Sequence, residues 1–322
     1  MRREGVLRFG IVGPRRVRQG LGPFFALQGE ALGAKLVGTA SSSRKSARRA
    51  GEELLAALGH PVSTHVGASA LCENEDLDAL IIASPPEFHE EALRAALVRD
   101  IPCLVEKPLL WEGPGSAAKV AEICSAFEEK NLPLWVHCQW PETLASYFQL
   151  FPEKRNRLPV REFRMRLSPT SNGPDMLSDS LPHILSLCQA LVPGERCRVS
   201  DPQLSFLSQE GLDLRFRFHG ENGSWPCFFE LRRVPQPPRP AGYGWDGDIA
   251  TREIELPQYQ QFFRAGNRRI SIPDPLVSLL SAFFDSIREP KLGKILPAPT
   301  DRAEMMESLI LAVSHAWEEE KQ

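Results

Sequence analysis

The sequence lacks any pair of cysteines at the C-x-x-C spacing of zinc sites and redox motifs, and its seven cysteines are an odd number. This excludes a zinc or disulfide framework as the basis of the fold, and reduced thiols in a cytoplasm are the simplest expectation. The chain also has no apolar run near the roughly 20 residues of a membrane span. No apolar leader precedes the first predicted strand, so we expect neither a signal peptide nor a membrane anchor.

The chain has no basic excess either. Its 38 Lys and Arg residues are outnumbered by 41 Asp and Glu, and the net charge is −3, whereas nucleic-acid-binding proteins usually carry a strong positive charge. Hydrophobic residues make up 42% of the chain and charged residues 25%, which is ordinary for a globular protein. A length of 322 residues suits two domains. We therefore expect a two-domain protein that binds neither nucleic acid nor a membrane.

Strand and helix patterns alternate through the first 140 residues. Short apolar runs predict strands at 6–12, 35–40, 77–83, 101–105 and 134–137. Helical patterns lie between them, up to about residue 32 and at 46–58, 87–98 and 115–129. Alternation of this kind predicts βαβ units, and hence an α/β Rossmann domain with a parallel sheet over residues 1–140.

After residue 140 the dominant pattern is the two-residue alternation of half-buried strands. Strands are predicted at 160–167, 212–218, 227–231, 253–256 and 269–272. A loop rich in Pro and Gly is predicted at 235–247, and helices at 275–287 and 300–317, the second capped by Thr300 or Asp301. Residues 141–322 should therefore form an α+β domain with a large, mostly antiparallel sheet, whose polar face meets solvent or another subunit. The C-terminal helix could pack back on the first domain.

The turn after the first strand should be rich in glycine if it binds a dinucleotide pyrophosphate. Gly13 fits the first glycine of that fingerprint, but Arg15 stands in place of the second and Arg18 in place of the third. Arg15, Arg16 and Arg18 could supply guanidinium contacts to the phosphates instead of close backbone contacts. A solvated basic turn is the other interpretation.

The end of the second strand lacks the acidic residue with which NAD enzymes usually bind the ribose 2′-hydroxyl. It carries Ser41, Ser42 and Ser43, followed by Arg44 and Lys45. Hydroxyls and two cations suit a 2′-phosphate, so the segment predicts a preference for NADP, with NAD possible. A serine-rich helix cap beside an exposed basic turn is the alternative.

Lys107 directly follows the apolar strand at 101–105, in the tripeptide Glu106-Lys107-Pro108. Open α/β sheets place their ligands just beyond the carboxyl ends of the strands, which is where this lysine should lie. Glu and Lys are common on protein surfaces, so the tripeptide alone is a weak signal. It gains weight because it follows a complete dinucleotide-domain pattern.

These pieces resemble the Gfo/Idh/MocA family of glucose–fructose oxidoreductase and inositol dehydrogenase over nearly the whole chain. The similar segments are Phe9–Gly13, Ile82–His89, Val105–Pro108, Asp179–His183 and the closing helix at 299–316. The resemblance implies a Rossmann domain followed by an α+β domain, and a homo-oligomer. It also implies NAD- or NADP-dependent chemistry on a secondary alcohol of a sugar-like or cyclitol-like small molecule. Ser84, Pro85, His89 and Glu106 would then lie at the cofactor.

The resemblance also implies a catalytic set of Lys107, Asp179 and His183. A histidine suits the removal of a hydroxyl proton because its pKa lies near neutrality. An ammonium group stabilises the developing alkoxide, and Asp179, four residues before His183, would share its helix face. The plainer interpretations are a helix cap at Asp179 or Ser180 and a buried structural histidine.

The departures from the family pattern leave three hypotheses open. Leu181 replaces a usual glycine and Ser186 a frequent Asp, which puts the substrate in doubt, while the turn arginines put the cofactor geometry in doubt. We expect an NAD(P)-dependent oxidoreductase that needs no metal. The rivals are a nucleotide or sugar sensor without activity and a scaffold that binds no nucleotide.

Four further side chains could line a ligand site. Trp140, Tyr243 and Trp245 could stack on apolar sugar faces, and His137 ends a predicted strand. Ordinary packing in the core is the default interpretation of all four.

Overall fold

A computed structural model describes residues 5–15, 20–289 and 298–319. Its residues cluster into two compact units. Of the described residues, the first unit comprises 5–15, 20–112, 118–137 and 279–289, and the second comprises 113–117, 138–278 and 298–319. No helix in the described part of the chain is long and apolar enough to cross a membrane.

The first unit is built on a six-stranded parallel sheet in the order β3-β2-β1-β4-β5-β6. The strands are β1 (Arg8–Val12), β2 (Lys35–Ser41), β3 (Ser63–Val66), β4 (Ala79–Ile82), β5 (Cys103–Glu106) and β6 (Leu134–His137). The helices between them are α1 (Gly22–Ala31), α2 (Arg44–Leu58), α3 (Ala68–Asn74), α4 (His89–Val98) and α5 (Ser116–Glu129). The strand order reverses between β1 and β4, and ligands of such sheets bind at the carboxyl ends beside that switch point.

Local sequence explains why these elements form. All four residues of β4 are buried, as expected of a central parallel strand covered on both faces. The second helix begins after Ser43, whose hydroxyl accepts a hydrogen bond from Ser46 N at 3.2 Å, and it ends at Gly59, whose φ is 78°.

The second unit is built on an eight-stranded sheet in the order β14-β13-β12-β11-β7-β10-β9-β8. Its strands are β7 (Phe163–Leu167), β8 (Arg198–Ser208), β9 (Gly211–His219), β10 (Ser224–Arg232), β11 (Ala241–Trp245), β12 (Asp248–Glu255), β13 (Gln260–Ala265) and β14 (Arg268–Ile272). The β7–β10 pair is parallel and the other pairs of the sheet are antiparallel. The remaining helices are α6 (Leu144–Leu150), α7 (Asp175–Leu191), α8 (Pro275–Arg288) and α9 (Pro299–Glu319), with a short 3-10 helix at Trp140–Thr143.

The two faces of this second sheet differ in chemistry. One face buries apolar side chains such as Phe163 and Met165, and α7 packs on it, with Cys188 Sγ 3.8 Å from Cys227 Sγ of β10. The other face carries ion pairs, such as Arg215 with Glu162 at 2.9 Å. The predicted α+β unit with one polar sheet face is therefore confirmed, as is the Rossmann fold before it.

Several predicted details of the second unit were wrong. The loop predicted at 235–247 contains strand β11, because glycines there permit close strand pairing rather than a turn: a Cβ on Gly244 would lie 1.9 Å from Asp248 O. Neither Thr300 nor Asp301 caps α9, because the helix begins at Pro299. Asp301 has another partner. It lies within the first turn, where its carboxylate accepts a hydrogen bond from Cys197 N at 2.6 Å. The sequence patterns also missed α6, β8 and β13 in this unit, and β3 and α3 in the first unit.

Candidate active site

Gly13 lies at the switch point of the first sheet, directly after β1. Its φ is 81°, and a Cβ on it would approach Ser84 N to 2.6 Å, so only glycine fits. A Cβ on Gly22, the first residue of α1, would lie 2.2 Å from Gly13 O. The close packing of helix against turn that the third fingerprint glycine allows is therefore made here by Gly22.

The turn arginines are only partly placed by the structure. Arg15 directs Nε to Glu53 Oε2 at 3.3 Å, and its side chain is 20% exposed. Burial opposes ionisation of Glu53, but hydrogen bonds from Arg49 and Arg15 hold the pKa of that carboxyl below its usual value. Arg16 and Arg18 lie outside the described residues. The structure thus ties Arg15 to the amphipathic helix α2.

The carboxyl end of β2 presents polar side chains. Ser41 is half-buried, and Ser42 and Arg44 are exposed, with Arg44 opening α2. Ser43 is the cap of that helix, so the capping interpretation of this segment is right for Ser43. The segment 41–45 contains no carboxylate, and the exposed Arg44 follows the carboxyl end of β2.

His89, the first residue of α4, is fully buried and contacts two backbone segments of the first unit, one after β4 and one after β5. Its Nε2 lies 2.8 Å from Ser84 O, and its Nδ1 lies 3.1 Å from Pro108 O and 3.0 Å from Leu109 O. Carbonyl oxygens only accept, so a ring nitrogen that carries hydrogen donates it to the carbonyl beside it. His89 therefore fixes the backbone on either side of the site.

Ser84 fits a cofactor site by its own environment. The residue is 9% exposed, and its hydroxyl has no hydrogen-bond partner among the described residues. A buried hydroxyl is normally satisfied, so an orphaned one beside the Gly13 turn suits a polar group of a bound nucleotide. Pro85 follows it and opens the turn that leads into α4.

Glu106 ends strand β5 and Lys107 directly follows it. The Glu106 carboxylate lies 2.7 Å from His137 Nδ1, and the two residues are paired in register across β5 and β6. Burial would raise the pKa of Glu106, but the charges of His137, Lys107 and His89 outweigh it and hold that pKa below its usual value. Lys107 is half-buried, and its peptide bond to Pro108 is cis. An anionic carboxylate thus precedes the lysine directly.

Asp179 and His183 share one face of α7. The helix begins at Asp175, so neither Asp179 nor Ser180 caps it, and the capping interpretation is wrong. Both residues are half-buried, whereas their neighbours Ser180 and Leu181 are buried. The carboxylate and the imidazole therefore project from the same side of a helix that otherwise faces the core. Lys107 belongs to the first unit and this pair to the second.

The aromatic candidates belong to the core. Trp140 is 2% exposed, and Tyr243 and Trp245 are fully buried. The rings of Tyr147 and Trp245 stack with centroids 4.5 Å apart, and the Tyr243 hydroxyl lies 3.0 Å from Thr143 Oγ1. The packing interpretation is therefore right, as it is for His137, which is 3% exposed.

Arg252 is a polar residue of this unit that the sequence patterns missed. It lies in β12, and its guanidinium carbon is 4.9 Å from the centroid of the Trp140 ring. Its Nε is buried without a hydrogen-bond partner among the described residues. The predicted strand began at residue 253 and left Arg252 outside. Extending the alternation to Ala250 would have placed this arginine on the core-facing side.

Comparison with known proteins agrees with this geometry. Residues 7–138 match the Gfo/Idh/MocA family, described as an oxidoreductase family with an NAD-binding Rossmann fold. Through these residues the chain is similar to the Gfo/Idh/MocA family. The matched span includes the Gly13 turn, the Ser84–His89 segment and Lys107.

Two curated relatives match the chain over part of its length. An inositol 2-dehydrogenase of Streptomyces avermitilis is 32% identical over 111 residues, which are 34% of this chain and 29% of that protein. Inositol 2-dehydrogenase 1 of Paenarthrobacter aurescens is 42% identical over 65 residues, which are 20% of this chain and 19% of that protein. Each match spans less than a third of the relative.

Solved structures resemble the chain over almost its full length. A UDP-N-acetylglucosamine 3-dehydrogenase from Acidithiobacillus ferrooxidans has a TM-score of 0.64 at 18% identity and covers 97% of each chain. A myo-inositol dehydrogenase from Lactobacillus casei, in complex with NAD(H) and myo-inositol, has a TM-score of 0.66 at 14% identity and covers 98% of this chain and 95% of that chain. At these identities the likeness establishes the fold.

Proposed function

We propose that the protein is an NADP-dependent oxidoreductase acting on a secondary alcohol or ketone of a sugar-like or cyclitol-like molecule. The observation that carries the proposal is the switch point of the first sheet. There the Gly13 turn and the orphaned Ser84 hydroxyl form a nucleotide cradle, and Lys107 follows strand β5 at the same edge. An ammonium group at this edge stabilises negative charge that develops on a substrate oxygen.

Each proposed role follows from the position of the side chain. Gly13, Ser84 and Pro85 hold the cofactor through close backbone approach, while His89 and Glu106 fix the segments around it. When bound, the cofactor accepts or supplies the hydride. His183 takes the hydroxyl proton, Asp179 orients His183 or the substrate, and Lys107 stabilises the alkoxide.

The test of this function separates it from its rivals. NADPH and NADH are titrated by intrinsic fluorescence, and the protein is then assayed with a panel of polyols and ketoses. Saturable binding with turnover supports the oxidoreductase, and binding without turnover indicates a sensor. Absence of binding indicates a scaffold. We expect a cytoplasmic homo-oligomer, in which the charged sheet face of the second unit would meet another subunit.

Arg44 should decide the choice of cofactor. Arg44→Ala is expected to weaken NADPH binding roughly tenfold or more, because a charged hydrogen bond contributes about 1.5–3 kcal/mol, and to leave NADH binding nearly unchanged. The measurement is a pair of fluorescence titrations. Arg99→Ala is the matched control, since Arg99 is also exposed but precedes β5 at the opposite edge of the sheet. Equal affinity of the natural protein for both cofactors would remove the proposed preference.

Arg15 is proposed to contact the pyrophosphate together with Arg16 and Arg18. Arg15→Gly should then weaken NADPH binding several-fold, because the turn loses a cation that no backbone contact replaces. Glu53→Gln is the companion variant. It weakens the hold of α2 on Arg15 and should leave cofactor affinity unchanged or raise it. A large gain in affinity on Arg15→Gly would show instead that Arg15 obstructs the nucleotide.

A further inference from the structure

Arg252 occupies a position in the second sheet where an apolar residue is expected. In register it lies opposite Ala241 of β11 and Phe263 of β13, both of which are buried. The next residue, Glu253, points to the opposite face, where it pairs with Arg264 and Arg269. Arg252 therefore points to the side of the sheet that holds the aromatic core.

The guanidinium of Arg252 lacks a counter-ion in the described part of the chain. No hydrogen bond or ion pair reaches it there, and its Nε is enclosed without a partner. Burial lowers the pKa of Arg252 to about 10, against an opposing effect of Tyr259 and with a smaller lowering contribution from the charge of Arg239. The group thus remains a cation at neutral pH, and a desolvated cation without a partner reduces the stability of the fold.

The surroundings of Arg252 hold the guanidinium in one place. The ring of Trp140 lies beneath it, and Trp140 is itself fixed edge-on to Tyr243, with ring centroids 5.8 Å apart. The 3-10 helix that carries Trp140 packs on α7, the helix of Asp179 and His183. Arg252 as a whole is half-buried, and its Nε is enclosed. A preorganised guanidinium of this kind suits two anionic oxygens in one plane.

We propose that Arg252, supported by Trp140, binds an anionic oxygen group of the substrate, so that the substrate is an acidic sugar derivative carrying a carboxylate or a phosphate. That the bound molecule is a substrate rests on the proposed function. That the site binds an anion rests only on residues of the second unit. A planar fork favours a carboxylate or a phosphate over a neutral hydroxyl, because each offers two acceptors and a full charge. A half-buried cation without a counter-ion among the described residues reduces the stability of the fold, and a bound anion would offset that loss.

The test compares three ligands that share one ring: D-glucose, D-glucuronate and D-glucose 6-phosphate. Binding is measured by calorimetry with and without NADP, and turnover is measured separately. The natural protein should bind at least one of the two anions roughly tenfold or more tightly than glucose, and the better anion identifies carboxylate or phosphate. Arg252→Met should abolish this preference, and Arg252→Lys should keep part of it. Arg264→Gln, on the opposite face of the sheet, should leave it unchanged.

Thermal unfolding supplies the second readout. Arg252→Met keeps the length of the side chain without the charge, so it should raise the melting temperature of the free protein if the cation has no structural partner. A lowered melting temperature or an unfolded variant would overturn the proposal, as would equal binding of glucose and both anions by the natural protein. Anion preference without turnover would refute the oxidoreductase and leave the anion site. Equal turnover of neutral and acidic sugars would refute the anion site and leave the oxidoreductase.

Discussion

Lys107→Met is expected to lower kcat by about 10²–10⁴-fold, the usual effect of removing a positioned group from an acid–base step. Methionine keeps the length and most of the apolar contact of the side chain but removes the ammonium group. Lys107 directly follows the ionised Glu106 at the end of β5, so the change should also leave that carboxylate with less compensating charge. The measurement is steady-state turnover on the best substrate of the panel, with NADPH affinity measured in parallel.

Two comparison variants make the Lys107 result specific. Lys130→Met removes a lysine that pairs with Asp100 at 2.6 Å, ahead of β6 at the opposite edge of the same sheet, and it should leave kcat unchanged. Lys107→Arg keeps the charge and should retain part of the activity. Full turnover by Lys107→Met would show that the lysine is structural, and a loss confined to NADPH binding would move its role to the cofactor.

The first unit was the more predictable half of the fold because its strands are apolar runs. The run at 134–137 coincides with β6, and the fully buried β4 lies within the predicted strand at 77–83. The edge strand β3 was missed because its residues are mostly exposed and carry no apolar run. In the second unit β11 was hidden by Gly242 and Gly244, which signal a turn in sequence but are required here by the close approach of β12.

The candidate site was predictable where one residue type meets one backbone requirement. Gly13 was found because its left-handed φ and contact with Ser84 leave no alternative to glycine. Counting residues along the turn could not show that Gly22 makes the close helix contact, because that depends on where α1 begins. The core-facing position of Arg252 was not predicted, because it can be recognised only once the strand register is known.

His183→Ala is expected to lower kcat by about 10²–10⁴-fold while NADPH affinity stays close to that of the natural protein. The reason is that a hydride and a proton leave the same carbinol group in oxidation, so the rate needs a group that takes the proton as the hydride departs. His183 projects from α7 beside Asp179, which should hold the imidazole in its productive orientation. Turnover and cofactor titration on the same preparation are the measurements.

Asp179→Asn distinguishes an orienting carboxylate from a passive neighbour of His183. The amide keeps the shape but loses the negative charge, so the imidazolium is less stabilised and the acidic limb of the pH–rate profile should move to lower pH, with kcat reduced. His219→Ala removes a histidine that is hydrogen-bonded to Ser200 at 2.8 Å in the same unit. This variant should change neither kcat nor the pH–rate profile. Because a merely structural Asp179 would alter stability without moving the pH profile, an unmoved profile would return this pair to the packing of α7.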